Sequence, residues 1–203
     1  MLSFNNSMEQ KRKPHLRIAV IPECNFNCIY CRAGGEGSPA NGVLMNGREI
    51  IEVVRIASET GFKHLKITGG EPTLRKDLFS IIYGCSELES LDEVQLVTNG
   101  SVLTREYVRA LVDSGLDNIT ISLDAATRDN FKEMSGKDQF NKVVNGIYMA
   151  REAGLQVTIN SVLMQKNKEE IEGLIEIARK TGSRLKLLDY MKVNGNGWET
   201  EYL

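Results

Sequence analysis

The sequence predicts an α/β protein in which six short strands alternate with helices and pair in parallel, and three observations carry that reading. Six apolar segments rich in β-branched residues recur at regular intervals, at 16–21, 64–68, 93–98, 118–123, 156–163 and 184–190. Between them lie amphipathic stretches: Ile50, Val53, Val54 and Ala57 follow the i, i+3, i+4, i+7 spacing of one helical face, as do Ile171, Leu174, Ile175 and Ala178. Gly61, Gly115, Gly154 and Gly182 stand where helices should stop, each a few residues before the next strand.

Helix starts are marked too. Asn46 with Glu49, and Asn167 with Glu170, have the spacing of capping boxes. Strands joined by helical crossovers pair in parallel, and six such units either curl into a partial barrel or lie in an open doubly wound sheet. Pattern alone does not choose between the two. In both, ligands sit at the carboxyl ends of the strands.

A chain of 203 residues is long enough for one domain with a sizeable core. A formal charge of −2 gives no reason to expect nonspecific nucleic-acid binding. No apolar run approaches the roughly 20 residues of a membrane span, and 1–14 is polar and charged, so the chain reads as cytoplasmic with a flexible N-terminal arm over 1–14. Four cysteines, three of them clustered, make a poor disulfide framework. Cys85 shares a helical face with Leu78, Ile81 and Ile82 and reads as a small core residue.

The other three cysteines fall within eight residues, Cys24, Cys28 and Cys31, just after the first strand. Thiolates select soft metals, and a four-iron four-sulfur cluster held by three cysteines keeps one iron open for a ligand. A structural zinc needs a fourth ligand; the nearest candidates, His15 and Glu23, lack a two-plus-two spacing. Polar residues gather at the same end of the other strands: Thr68-Gly69-Gly70-Glu71-Pro72, Thr98-Asn99-Gly100, Ser122-Leu123-Asp124, Asn160 with Ser161, and Asp189-Tyr190-Met191. Each alone is an ordinary turn or cap. Together they outline a rim around the cysteines. The glycine-rich stretch at 32–46 reads as a loop over that rim; its match to a dinucleotide fingerprint is discounted, since it neither follows a strand nor opens a helix.

The Cys-x3-Cys-x2-Cys run with Tyr30 before its last cysteine, together with Gly69-Gly70-Glu71-Pro72 after the second strand, resembles the radical S-adenosylmethionine (SAM) superfamily. That resemblance implies a partial (β/α)6 TIM-type barrel with parallel strands and outer helices. It implies one 4Fe-4S cluster on Cys24, Cys28 and Cys31, and SAM as cosubstrate, cleaved reductively to a 5′-deoxyadenosyl radical that abstracts hydrogen from a substrate. The stretches 67–78 and 122–124, and Tyr190-Met191 followed by Gly195-Asn196-Gly197-Trp198, are further similar to the GTP 3′,8-cyclases of molybdenum cofactor biosynthesis. By that likeness Tyr30, Gly69, Gly70, Glu71, Ser122 and Met191 border SAM, and Arg17, Lys66 and Thr98 face a small-molecule substrate such as GTP. A reductant such as flavodoxin or ferredoxin is implied as partner.

The chain departs from that pattern in places. Pro22-Glu23 replaces an Asp-Arg pair, and His64 and Thr158 stand where the cyclases carry basic residues. Lys66 replaces an arginine, keeping charge but losing the bidentate fork. Residues 15–203 are expected to form the core domain, without the C-terminal region that holds a second cluster in those enzymes. Two other readings stand beside the cyclase: a radical SAM enzyme acting on a peptide or small metabolite, and a noncatalytic metal-binding module.

Overall fold

The computed structural model describes residues 14–31 and 42–191. Six parallel strands form one sheet in sequential order, β1 (His15–Ala19), β2 (His64–Thr68), β3 (Glu93–Thr98), β4 (Asn118–Ser122), β5 (Gln156–Leu163) and β6 (Arg184–Asp189). The expected strands all form; three of them end one or two residues earlier than the apolar pattern suggests, and β1 starts one residue earlier. The arm expected over 1–14 falls outside the described residues except for Pro14, and so does most of the 32–46 loop and the Gly195–Trp198 stretch.

Sequential order settles what periodicity left open. A doubly wound sheet reverses direction at a switch point, whereas here every crossover steps the same way. Right-handed crossovers stepping one way place all the helices on one face. The helices are α1 (Gly47–Glu59), α2 (Leu78–Ser86), α3 (Arg105–Asp113), α4 (Arg128–Ser135), α5 (Phe140–Glu152) and α6 (Ile171–Thr181). Neighbours α1 and α2, α2 and α3, α3 and α5, and α5 and α6 pack side by side as one outer layer. The sheet is therefore a partial barrel, and its other face is a lumen.

Strand alternation sorts residues between these faces. Ile18, Leu65, Ile67, Val94, Leu96, Ile119, Ile121, Val157 and Ile159 point to the helices and are buried among Ile50, Val54, Leu78, Ile81, Leu111, Val143, Ile147 and Leu174. The opposite parity is largely polar: Arg17, Lys66, Gln95, Thr120, Ser122, Thr158, Asn160, Arg184 and Lys186 line the lumen, with Val97 and Val162 among them. Apolar burial thus builds the wall from outside and frees the inner face for chemistry.

Helix ends follow the sequence signals with one exception. The Asn46 side chain accepts from the Glu49 N–H at 3.1 Å while the Glu49 carboxylate accepts from the Asn46 N–H at 2.7 Å, the reciprocal pair expected there. All four expected stop glycines have positive φ. Asn167 and Glu170 do not form the expected box, because both are used elsewhere and α6 starts only at Ile171. Asn167 caps the preceding 3₁₀ turn, Gln165–Glu170, by accepting from the Met164 N–H at 2.8 Å. Glu170 accepts the Ala126 and Thr127 N–H groups at 2.7 and 2.9 Å, and so fixes the entry to α4.

The apolar stripes are also narrower than their spacing suggests. Val53 and Ile175 are 41% and 42% exposed, while Ile50, Val54 and Leu174 are fully buried. A single outer layer contacts each helix on one narrow arc. Cys85 is buried in the core as expected, and burial pushes its thiol up to about 12.

Candidate functional site

The cysteine loop lies across the carboxyl ends of the strands and is fastened at three places. The first is backbone. Parallel pairing of β1 and β2 continues beyond both strands: the Val20 N–H donates to the Thr68 carbonyl at 2.9 Å, the Gly70 N–H to Ile21 and the Glu71 N–H to Glu23, both at 2.7 Å. A Cβ on Gly70 would stand 2.2 Å from the Glu23 carbonyl oxygen, and one on Gly69 would stand 2.4 Å from that of Ile21. Both glycines are therefore required by the close approach of two chains.

The second fastening is Glu71. Its side chain is buried, with Oε1 accepting from the Thr73 N–H at 3.1 Å and from the Thr73 and Thr98 hydroxyls, each at 2.6 Å. Oε2 accepts from the Asn99 N–H at 2.6 Å. Burial raises its pKa and the four hydrogen bonds oppose that rise. Asn99, positioned by this bracket, donates from Nδ2 to Asn25 Oδ1 at 2.8 Å, and that amide also lies 3.9 Å from Cys24 Sγ. Asn25 in turn donates to the Ser101 hydroxyl at 2.9 Å. Asn99 thus reaches the start of the cysteine loop, a role that its Asn-Gly turn signal in the sequence does not reveal.

The third is at the far end of the loop. The Asn27 and Ile29 N–H groups donate to the Ser135 and Met134 carbonyls at the end of α4, both at 3.0 Å. Half-buried Tyr30 donates its hydroxyl to Asp124 Oδ2 at 2.7 Å. A small satellite core of Met134, Met164 and Tyr190, packed by Ile29, Tyr30 and Val162, closes under it.

Held in this way, Cys24 and Cys28 are partly buried and Cys31 is exposed. Burial is the largest cause of the raised pKa values of Cys24 and Cys28; the charge of Glu71 adds to it at Cys24, that of Asp124 at Cys28, and that of Cys31 at both. Among the described residues, no three His, Cys, Asp or Glu side chains converge closely enough to hold a single metal ion. A cubane cluster takes each thiolate on a different iron, so its ligands stand wider apart than those of one ion. Three soft donors on one loop suit that group.

Below the loop, the lumen is divided by charge. Arg17 and Lys66 are paired across β1 and β2, and Lys186 stands on β6. Burial lowers the pKa of Lys66 first, and the charges of Arg17 and Lys186 lower it further, with Glu93 opposing. Sequence reasoning singled out Arg17 and Lys66 but missed Lys186, although its strand parity was readable. The middle of the sheet offers neutral groups, including Gln95, which donates to the Thr120 hydroxyl at 3.0 Å. His64 lies against Glu93, Nδ1 to Oε2 at 2.5 Å. Toward the amino ends of the strands the lumen opens into a cleft of about 360 Å³ bordered by Glu93, Asn118, Gln156 and Arg184.

Thr98 does not join Arg17 and Lys66. It has the opposite strand parity, is 2% exposed, and its hydroxyl is committed to Glu71 and to the Gly100 N–H at 3.0 Å. Its position makes it a support for Glu71. Ser122 stands at the lumen face at the end of β4, and Met191 lies 69% exposed just beyond β6.

A partial parallel barrel carrying a three-cysteine loop over its carboxyl mouth defines a class of iron–sulfur barrel proteins. The chain belongs to the radical SAM superfamily, whose family model matches residues 18–178. Its cofactors are those of that superfamily, a four-iron four-sulfur cluster and SAM. It is 36% identical over 192 residues to Molybdenum cofactor biosynthesis protein 1 of Drosophila melanogaster, covering 93% of this chain and 34% of that one. It is 39% identical over 168 residues to the Probable GTP 3′,8-cyclase of Saccharolobus solfataricus, covering 82% and 53%. The chain thus spans between one third and about half the length of these relatives. Among solved structures, Streptococcus suis SuiB bound to S-adenosylmethionine shares the fold with a TM-score of 0.79 at 21% identity, over 90% of this chain and 42% of that one.

Two substitutions separate the loop's anchoring from its chemistry. Gly70→Ala forces a methyl group against backbone, so it is expected to cost about 3 kcal/mol in urea unfolding and to lower iron uptake as well. Cys31→Ala removes an exposed thiol, so stability should stay within about 0.5 kcal/mol while iron per chain after anaerobic reconstitution drops sharply. Unchanged iron content in Cys31→Ala would contradict the role of that thiol.

Proposed function

We propose that this chain is the SAM-binding barrel of an enzyme of the GTP 3′,8-cyclase type, acting on a purine nucleoside triphosphate in molybdenum cofactor biosynthesis. The observation that carries the substrate class is the convergence of Arg17, Lys66 and Lys186 on one arc of the lumen, directly below the cysteine mouth. Lys66, whose charged form is disfavoured by burial and by two cationic neighbours, is costly to hold there without an anion. A triphosphate supplies one. The names of the relatives with 36% and 39% identity support the same class.

In this reading Cys24, Cys28 and Cys31 hold the cluster, and Tyr30, the Gly69-Gly70 turn above Glu71, Ser122 and Met191 border SAM. When bound, these groups supply a 5′-deoxyadenosyl radical, generated with an electron from a reductant such as flavodoxin or ferredoxin, for hydrogen abstraction from the substrate. The protein's own contribution is placement. Arg17 offers a planar fork to phosphate oxygens, and Lys66 and Lys186 offer point charges. Gln95, Thr120 and Asn160 present hydrogen-bonding groups to the sugar or base. His64, engaged with Glu93, adds little to the cationic arc, so phosphate recognition rests on fewer cations than in the cyclases.

The reconstituted protein should form 5′-deoxyadenosine from SAM under dithionite, faster with GTP than without. An anion binds protonated Lys66 more tightly than neutral Lys66, so GTP binding takes up a proton. GTP affinity should therefore fall as pH rises through the lowered pKa of Lys66. Lys66→Met is expected to weaken GTP binding about tenfold, the worth of one charge-assisted hydrogen bond, and to flatten that pH dependence while leaving SAM affinity unchanged. Intact SAM cleavage indifferent to GTP would contradict the proposed substrate.

A further inference from the structure

We infer that Asp124 is a positioning residue for the cysteine loop, which holds the Tyr30 phenol beside Cys28 and sets a carboxylate charge that makes a cluster there harder to reduce. This rests on the reading that Cys24, Cys28 and Cys31 are the ligands, and adds to it a residue outside the cysteine motif.

Asp124 lies two residues beyond β4 and is 4% exposed. Both carboxylate oxygens are engaged: Oδ2 accepts from the Tyr30 hydroxyl at 2.7 Å and Oδ1 from the Val162 N–H at 2.8 Å. Its backbone carbonyl accepts from Asn167 Nδ2, also at 2.8 Å, and the same amide nitrogen donates to the Val162 carbonyl. The carboxylate is thus locked between the ends of β4 and β5 and cannot swing away from the loop. The phenol also neighbours the Cys28 sulfur, but its single proton is given to Asp124, so it bridges carboxylate and ligand by position and donates no hydrogen bond to the sulfur. The carboxylate charge therefore lies one phenol hydroxyl away from the loop that carries Cys28. Burial raises Asp124 itself to about 6, against the pull of its two donors.

Two opposite electrostatic effects follow. A fixed negative charge in a poorly solvated site disfavours adding an electron to a nearby cluster, while a hydrogen bond donated to that carboxylate spreads and weakens its charge. Asp124 supplies the first and the Tyr30 hydroxyl the second. Removing each should move the potential in opposite directions.

The test is an EPR-monitored reductive titration at pH 8 of the anaerobically reconstituted protein and two variants, with iron content and thermal unfolding measured on the same samples. Asp124→Asn keeps the shape and drops the charge; its midpoint should move positive by about tenfold in the reduction equilibrium, about 59 mV for one electron. Tyr30→Phe keeps the ring and drops the hydroxyl; its midpoint should move negative, by about threefold. A general packing defect would move both the same way. Shifts of one sign, or none in Asp124→Asn with full iron, would overturn the inference and leave the ligand assignment standing. A wild-type protein that takes up no iron would overturn both. Should Asp124→Asn fail to load iron, the sign of the Tyr30→Phe shift decides: negative supports the inference, zero or positive overturns it.

Discussion

The chain at Gly69-Gly70 passes so close to residues 21–23 that no side chain fits between them, and the geometry of the carboxyl mouth depends on that approach. It extends the β1–β2 ladder past the ends of both strands and fixes where the cysteine loop begins. The same turn delivers Glu71 into a buried position, where one carboxylate collects four donors from two loops. A buried carboxylate is tolerated only when so satisfied. Satisfied, it ties the loops after β2 and β3 into one unit and places Asn99 against Asn25 and Cys24. The thiols are thus presented by backbone pairing and buried polar groups, with Phe26, buried against Phe131, anchoring the loop's first half to the core.

Electrostatics completes the division of labour along the barrel. Aliphatic residues of one parity seal the sheet to its helices, and the other parity carries the charge. Cations cluster on the arc formed by β6, β1 and β2, while amides and hydroxyls occupy β3 to β5. This asymmetry orients an anionic molecule with its charged end toward one wall. At the mouth the sign reverses: Asp124 and Glu71 bring buried carboxylates near the cysteines.

Much of this was legible in the sequence because it rests on local signals. The period-two strands, the stop glycines, the Asn46 and Glu49 box and the tight cysteine spacing all act through neighbours in the chain. What the sequence hid depends on residues far apart. Thr98 was read as a substrate contact by likeness to the cyclases; its parity turns it outward, to a carboxylate 27 residues away. Asn167 and Glu170 matched a capping pattern, yet each serves a segment some 40 residues distant. The parity that marks Lys186 is written in β6, but its weight as a third cation appears only when that strand comes near Lys66.

The central claim is that the cysteine loop holds a cluster with one iron open to SAM. It is tested most directly by the EPR spectrum of the anaerobically reconstituted, dithionite-reduced protein recorded before and after addition of SAM. A four-iron signal whose g values shift on adding SAM is the predicted result. A four-iron signal indifferent to SAM, or no iron signal from a folded protein, would contradict it.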